Sequence, residues 1–134
     1  SMFKILDIAG SGMSAQMLRL NTTASNMANA GSNASSEAEA YRARQPVFAS
    51  VLLDADKGLH GVEVRSIAVS EQEVPRHYEP GNPLADKDGF VYGTAVNPVE
   101  EMANMMSASR SYQSNAEVFS TTKNLLLRTL QMGK

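Results

Sequence analysis

Apolar residues recur with a helical period at both ends of the chain, and the stretch between them follows a different rule. Near the N-terminus, Leu6, Met13, Leu20 and Met27 fall seven residues apart, and Gly10, Met17 and Ala24 occupy the paired heptad position. This predicts an amphipathic helix over residues 3–30 whose seam is lined on one side by small residues. Gly10 and Gly12 weaken such a helix and allow a close neighbour or a bend. Gly31 is placed to end it with a left-handed cap. Toward the C-terminus, Met102, Met105, Ser109, Tyr112, Ala116, Phe119, Lys123, Leu126 and Leu130 alternate spacings of three and four. A second helix therefore runs from Pro98 onward, with Asn97 as its N-cap and Pro98 at its first position. Glu100 and Glu101 complement the helix dipole at one end, and Lys123, Arg128 and Lys134 do so toward the other. Ser109 and Lys123 interrupt the seam at places that set register or partner choice in coiled coils.

The middle reads as strands and turns. Residues 32–40 form a linker of Ser, Asn, Ala and Glu without an apolar anchor. Val47 to Leu53 alternate as a strand, with Pro46 marking an edge or kink at its start. Asp54 to Gly58 form a turn. Val62 to Val69 return as a second strand whose face switches near Ser66, as at a bulge. Residues 75–83 are extended and rich in turn formers. A short strand at 90–92 follows the turn Asp86-Lys87-Asp88-Gly89. The expected fold is mainly α with a small β-rich middle: long N- and C-terminal helices pairing as an antiparallel coiled coil, with an inserted antiparallel β segment. The chain divides into residues 1–31 and 98–134, which together make a helical core, and residues 32–97, a linker and β-rich outer segment. Helices of roughly 40 and 50 Å, at 1.5 Å per residue, imply an elongated molecule.

Charge sharpens this picture. Between Phe3 and Ala30 only Lys4, Asp7 and Arg19 are charged. A helix facing water usually carries Lys and Glu pairs along its face, so this one is expected to be covered on more than one side, by other protein. The net charge is −2, without a basic run, which argues against nucleic acid and anionic membrane surfaces. No apolar run is long enough for membrane insertion. The N-terminus lacks the layout of a cleavable signal peptide, and Ser1 before Met2 is read as an addition and set aside. There are no cysteines, hence no disulfide or thiol chemistry.

Nothing in the sequence reads as catalytic, and no cofactor, metal or small-molecule substrate is expected. His60 and His77 sit in turn regions with no second ligand at metal spacing. Asp86 to Gly89 matches part of a calcium loop, but alignment on Gly89 puts Leu84 and Ala95 at the first and twelfth ligand positions, so a plain β-turn is the reading. No phosphate loop or nucleophile elbow is present.

Several segments carry a resemblance. Ser25-Asn26-Met27-Ala28-Asn29-Ala30, followed by Tyr41-Arg42, resembles the N-terminal signature of the flagellar rod and hook axial proteins. Tyr78-Glu79-Pro80-Gly81-Asn82-Pro83-Leu84-Ala85-Asp86, Asn97-Pro98-Val99-Glu100-Glu101-Met102 and Ser107 to Asn115 are similar to the proximal rod members of that family. The resemblance implies a structural subunit of the bacterial basal-body rod that polymerises through its terminal helices and transmits torque. It implies export by the flagellar type III apparatus without a cleaved signal, and assembly in the periplasm. Implied partners are further copies, other rod proteins, the adaptor joining the rod to the membrane ring, and the export apparatus. Expected self-association residues are Leu6, Met13, Met17, Leu20 and Met27 on the first helix and Met102, Met105, Tyr112, Phe119, Leu126 and Leu130 on the second. Ser25, Asn26, Asn29, Arg110, Gln113 and Asn115 are expected to fix register by hydrogen bonds across subunits. The rival reading is a soluble coiled-coil module of a secretion or signalling system; an enzyme is remote.

Overall fold

A computed structural model describes residues 1–133; the cation expected at Lys134 lies outside them. In chain order the elements are α1 (Met2–Ala28), β1 (Arg44–Asp54), β2 (Leu59–Val69), β3 (Arg76–Tyr78), β4 (Phe90–Tyr92) and α2 (Pro98–Met132). The two helices pack along each other in opposite directions: Gly12 lies against Asn115, Arg19 donates to Asn104 Oδ1 at 3.2 Å, and Asn26 donates to Glu101 Oε2 at 3.1 Å. The Asn97 side chain caps α2, accepting from the Val99 and Glu100 amides at 3.0 and 3.4 Å, with Pro98 in the first turn. Such a cap is worth about 1 kcal/mol.

The β1–β2 hairpin lies along another side of α1. Lys4 Nζ donates to the Leu53 carbonyl at 3.1 Å, and Ser11 Oγ accepts from the Val62 amide at 3.1 Å. Asn26, near the far end of α1, meets the first residue of β1. The low charge of α1 thus has a partial cause inside the chain, since α2 and the hairpin cover it on two sides. Opposite Val47 and Phe48 the β2 partners are Ser66 and Val64, so Arg65 is the extra residue of a bulge. That bulge accounts for the face switch near Ser66. Gly58, at φ +61, occupies the left-handed position of the hairpin turn.

Three sequence expectations are corrected. The β middle is not one sheet: β1–β2 and β3–β4 form two separate two-stranded sheets. Arg-His-Tyr at 76–78, inside the stretch read as turn-rich, is strand β3, and it places His77 opposite Val91. Its stability comes from cross-strand contacts that no periodicity reports: Tyr78 meets Phe90 edge-on at 5.4 Å, and the Arg76 guanidinium lies 4.3 Å from the Phe90 ring centroid. Gly31 is not a left-handed cap, because α1 ends at Ala28 with Asn29 at φ −102, and the glycines with positive φ are Gly58 and Gly89. The 32–40 segment does have an anchor, though not an apolar one. Ala34 pairs through its backbone with Tyr92 in both directions, at 2.8 and 3.0 Å, and Thr94 Oγ1 donates to the Ala30 carbonyl at 3.0 Å.

The core is thin. Among the described residues the buried apolar side chains are Ala9, Ala15, Val74, Val91, Val96 and Ala108, and the largest side chains that are fully enclosed are Val91 and Asn26. No Leu, Phe or Met of the described chain is buried to that degree.

Candidate functional site

The helix pair and its outward faces are the candidate functional feature of this molecule. The structure divides the sequence seam between the inside of the pair and its outer faces. Met105, Tyr112, Phe119 and Leu126 are half-buried and turned inward. Their partner column is Glu101, Ala108, Asn115 and Thr122, one residue ahead of the expected Met102, Ser109, Ala116 and Lys123. One residue is about 100° of helix rotation, given 3.6 residues per turn. The inner column is polar or small, and Met102 and Leu130 are turned outward, 53% and 59% exposed. On α1, Leu6, Met13, Leu20 and Met27 are half-buried, while the deepest positions are Ala9, Ala15, Thr23 and Asn26. Met17 is exposed.

The small inner residues let the backbones approach. A Cβ added at Gly12 would meet the Asn115 side chain at 2.7–2.8 Å. Nothing lies within 4 Å of such an atom at Gly10, so of the two glycines it is Gly12 that serves close approach.

Asn26 joins three elements. Its Nδ2 donates to the Arg44 carbonyl at 2.8 Å and to Glu101 Oε2 at 3.1 Å. Its Oδ1 accepts from Tyr41 Oη at 2.7 Å and from the Arg44 amide at 3.0 Å. Both donors and both lone pairs of the amide are therefore satisfied within the chain. Toward Arg44 the side chain behaves as a strand neighbour would, taking both backbone groups. Toward Glu101 it supplies a donor to a carboxylate that is only 5% exposed. The end of α1, the start of β1 and the first turn of α2 are locked at one amide.

The other expected register residues are placed differently. Asn29 Nδ2 donates to the Ser25 carbonyl at 2.9 Å, one turn back in its own helix, and Ser25 Oγ lies 3.4 Å from Tyr41 Oη. Asn115 Nδ2 donates to the Ser111 carbonyl at 2.9 Å while its amide packs on Gly12. Arg110 and Gln113 are exposed on α2. Arg19 also ties the helices, by reaching Asn104 and Ser107; its being one of three charges in a charge-poor helix is the available signal.

The outward face of α1 is a stripe of Phe3, Asp7, Ser14, Met17, Asn21, Ala24 and Ala28, with one charge along its length. Phe3 is 63% exposed. On α2 the outward residues include Val99, Met102, Met106 and Val118. The accessible surface totals 8821 Å². A compact monomer of 14.4 kDa exposes about 6,800 Å². The excess, on the order of 2,000 Å², is more than one partner contributes to a standard interface.

Away from the helices, Asp86 closes a local motif. Its Oδ1 accepts from the Asp88 and Phe90 amides, each at 2.9 Å, and its Oδ2 from Tyr92 Oη at 3.0 Å. The Phe90 amide chiefly holds the Asp86 carboxyl below the usual aspartate range, and the Asp86 bond raises the Tyr92 phenol above its own. The Gly89 amide donates to the Asp86 carbonyl at 3.0 Å, which makes residues 86–89 a β-turn, with Gly89 at φ +88. Among the described residues no group of three or more His, Cys, Asp or Glu is arranged to hold a metal ion, and no helix is long and apolar enough to cross a membrane.

Comparison with known proteins agrees with this arrangement. Residues 6–31, nearly all of α1, match the family model described as flagella basal body rod protein, and residues 87–132, with all of α2, match the flagellar basal body rod FlgEFG protein C-terminal model. Over 100% of its length the chain is 48% identical to the flagellar basal-body rod protein FlgC of Salmonella typhimurium, covering 99% of that protein. It is 47% identical to the FlgC of Yersinia enterocolitica, covering 100% of this chain and 99% of the relative. The FlgC of Aquifex aeolicus is 42% identical across 98% of the chain and 97% of its own length. With identity of this level spanning helices, linker and β segment alike, the chain belongs to the FlgC family of flagellar basal-body rod proteins.

Proposed function

We propose that this rod subunit assembles through the outward stripes of α1 and α2, while the inner column holds each copy's own helix pair together. The protein is a structural, non-enzymatic component of the basal body, and self-assembly with other rod components follows from that role. The observation that carries the assignment of the stripes is the surplus of exposed area: 8821 Å², with Met17, Val99, Met102, Met106 and Leu130 uncovered and no Leu, Phe or Met among the buried described residues. In a polymer each copy covers the stripes of the next, and burying one such side chain contributes roughly 1.5–3 kcal/mol. Leu6, Met13, Leu20, Met27, Met105, Tyr112, Phe119 and Leu126 then serve the interface from beneath, by fixing the helix pair. Arg110 and Gln113, exposed on α2, are the register residues free to bond across subunits.

The finer partners belong to the same reading: the adaptor between rod and membrane ring, and the type III export apparatus, which passes the chain unfolded and without a cleaved signal to the periplasm. Thin packing suits that route, because a chain with few large buried side chains unfolds easily before passage. The test is Met17→Asp combined with Met102→Asp. The purified variant should keep wild-type helicity, and cells carrying it should export the chain yet fail to build rods or swim. Normal swimming at normal expression rejects the stripes as the assembly surface.

A further inference from the structure

The outward stripes are built largely from one oxidisable group. Met17, Met102, Met106 and Met132 are exposed, whereas Met2, Met13, Met27 and Met105 are half-buried. The chain has no cysteine and no tryptophan, so the exposed thioethers are the side chains an oxidant meets first. Met102 and Met106 stand one turn apart on the same face of α2. Arg110 follows one turn further on, is exposed, and lines the same surface hollow as Met106, together with Ala103, Ser107 and Ser111. Met105 is adjacent in sequence but turned into the helix pair, which makes it a comparison built into the same segment.

We infer that Met102 and Met106 form a reversible oxidation site, through which a peroxide disables the subunit before it is incorporated. The inference rests on the assembly reading above and adds a chemical control to it. A sulfur lone pair attacks one peroxide oxygen and the O–O bond breaks. The departing hydroxide takes the proton from the transferred hydroxyl and leaves as water. The sulfur is oxidised by two electrons to the sulfoxide, and hydrogen peroxide is reduced to water. The product is a polar, chiral group where the stripe was flexible and apolar. Pressed against a neighbour, the sulfoxide oxygen needs a donor or is buried unpaired at a cost. At Met106 the donor at hand is the Arg110 guanidinium, which is thereby drawn away from bonding across subunits. A dithiol-dependent methionine sulfoxide reductase reverses the step: two thiols become a disulfide, and the sulfoxide oxygen leaves as water. A neighbour that covers the stripes shields both thioethers, so the site acts on the free chain and not on the finished rod.

The test has two arms. The first does not depend on assembly. The purified full chain is treated with dilute hydrogen peroxide, quenched at intervals and digested, and the sulfoxide at each methionine is measured by mass spectrometry. Met102 and Met106 should oxidise about fivefold faster than Met13, Met27 and Met105, with helicity unchanged. The reductase with dithiothreitol should return both to the thioether. Equal rates at the exposed and half-buried methionines overturn the site. The second arm uses glutamine, whose amide oxygen stands in for the sulfoxide oxygen, and leucine, which keeps the apolar surface and cannot be oxidised. Cells carrying Met102→Gln with Met106→Gln should build about tenfold fewer rods than cells carrying Met102→Leu with Met106→Leu, at equal export of the two chains. Equal rod numbers from the two pairs overturn the disabling effect. Met17→Asp with Met102→Asp then shows which reading has failed. If that chain builds no rods, the stripes stand and only the oxidation inference falls; if it builds rods normally, the stripes themselves are rejected.

Discussion

Replacing Asn26 by alanine tests whether a polar residue in a signature segment acts inside the chain or between chains. The substitution deletes four hydrogen bonds of 2.7–3.1 Å. The bond to Glu101 is the most costly to lose, because that carboxylate is 5% exposed and is left without its amide donor. Leaving such a buried group unpaired costs about 1–3 kcal/mol, and more when it is charged. Water can reach the half-buried Tyr41 hydroxyl and the backbone of exposed Arg44, so each of those bonds counts at its net value of about 0.5–1.5 kcal/mol. Together these give about 3–7 kcal/mol, a large share of the roughly 5–15 kcal/mol by which domains are stable. Urea unfolding of dilute monomer, followed by circular dichroism, measures it without a contribution from assembly. Asn29→Ala is the control: it removes a bond within one helix turn and should cost under about 1 kcal/mol. A value for Asn26→Ala within 1 kcal/mol of wild type refutes the lock, and returns Asn26 to the list of inter-subunit candidates.

Three further outcomes follow from the same geometry. Gly12→Val should destabilise the helix pair by about 1–3 kcal/mol, because the new side chain overlaps Asn115; adding Asn115→Ala should recover part of this, read as a coupling energy in a double-mutant cycle. Phe119→Asp, at a half-buried inward position, should lower the melting temperature of the monomer as well as abolish swimming, whereas Met17→Asp should affect swimming alone. The β3–β4 motif should loosen in acid. A carboxylate whose folded pKa lies below its unfolded one contributes stability that is present above the unfolded value and lost as pH falls through the folded one. For Asp86 this places the loss below the ordinary aspartate pKa of 3.8; amide exchange at Phe90 and Tyr92 followed against pH reads it, and Asp86→Asn should flatten the profile.

The helices were legible because their signals are local. Asn97-Pro98 supplies a cap and a first turn that need no tertiary partner, and α2 begins there. The strands β1 and β2 follow alternation and the Asp54–Gly58 turn, and even the bulge at Arg65 appeared as a break in period. The inner face of α2 is not legible in full, because apolarity alone does not say whether a seam residue faces its own chain or a neighbour. Met102 and Leu130 are apolar and turned out, while Glu101 and Thr122 are polar and turned in. In a monomer that order is wrong-sided; in a subunit that must be covered twice, once by its own chain and once by neighbours, apolar residues belong on both faces. The sparse charge of α1 predicts cover on more than one side, but does not identify the hairpin as one of the covers, since Ser11 to Val62 is a contact across 51 residues. Asn26 stood out in the sequence for its segment. Its four partners are distant in sequence or on the backbone, so no spacing rule identifies them.

The central claim, that the outward stripe of α1 is bare in the free chain and covered in the rod, is tested most directly by thiol labelling of Met17→Cys. With no other cysteine present, a maleimide reports one position. At 42% exposure the thiol should react readily in purified monomer, and in isolated basal bodies it should be protected by at least tenfold. Equal labelling in monomer and basal body contradicts the account.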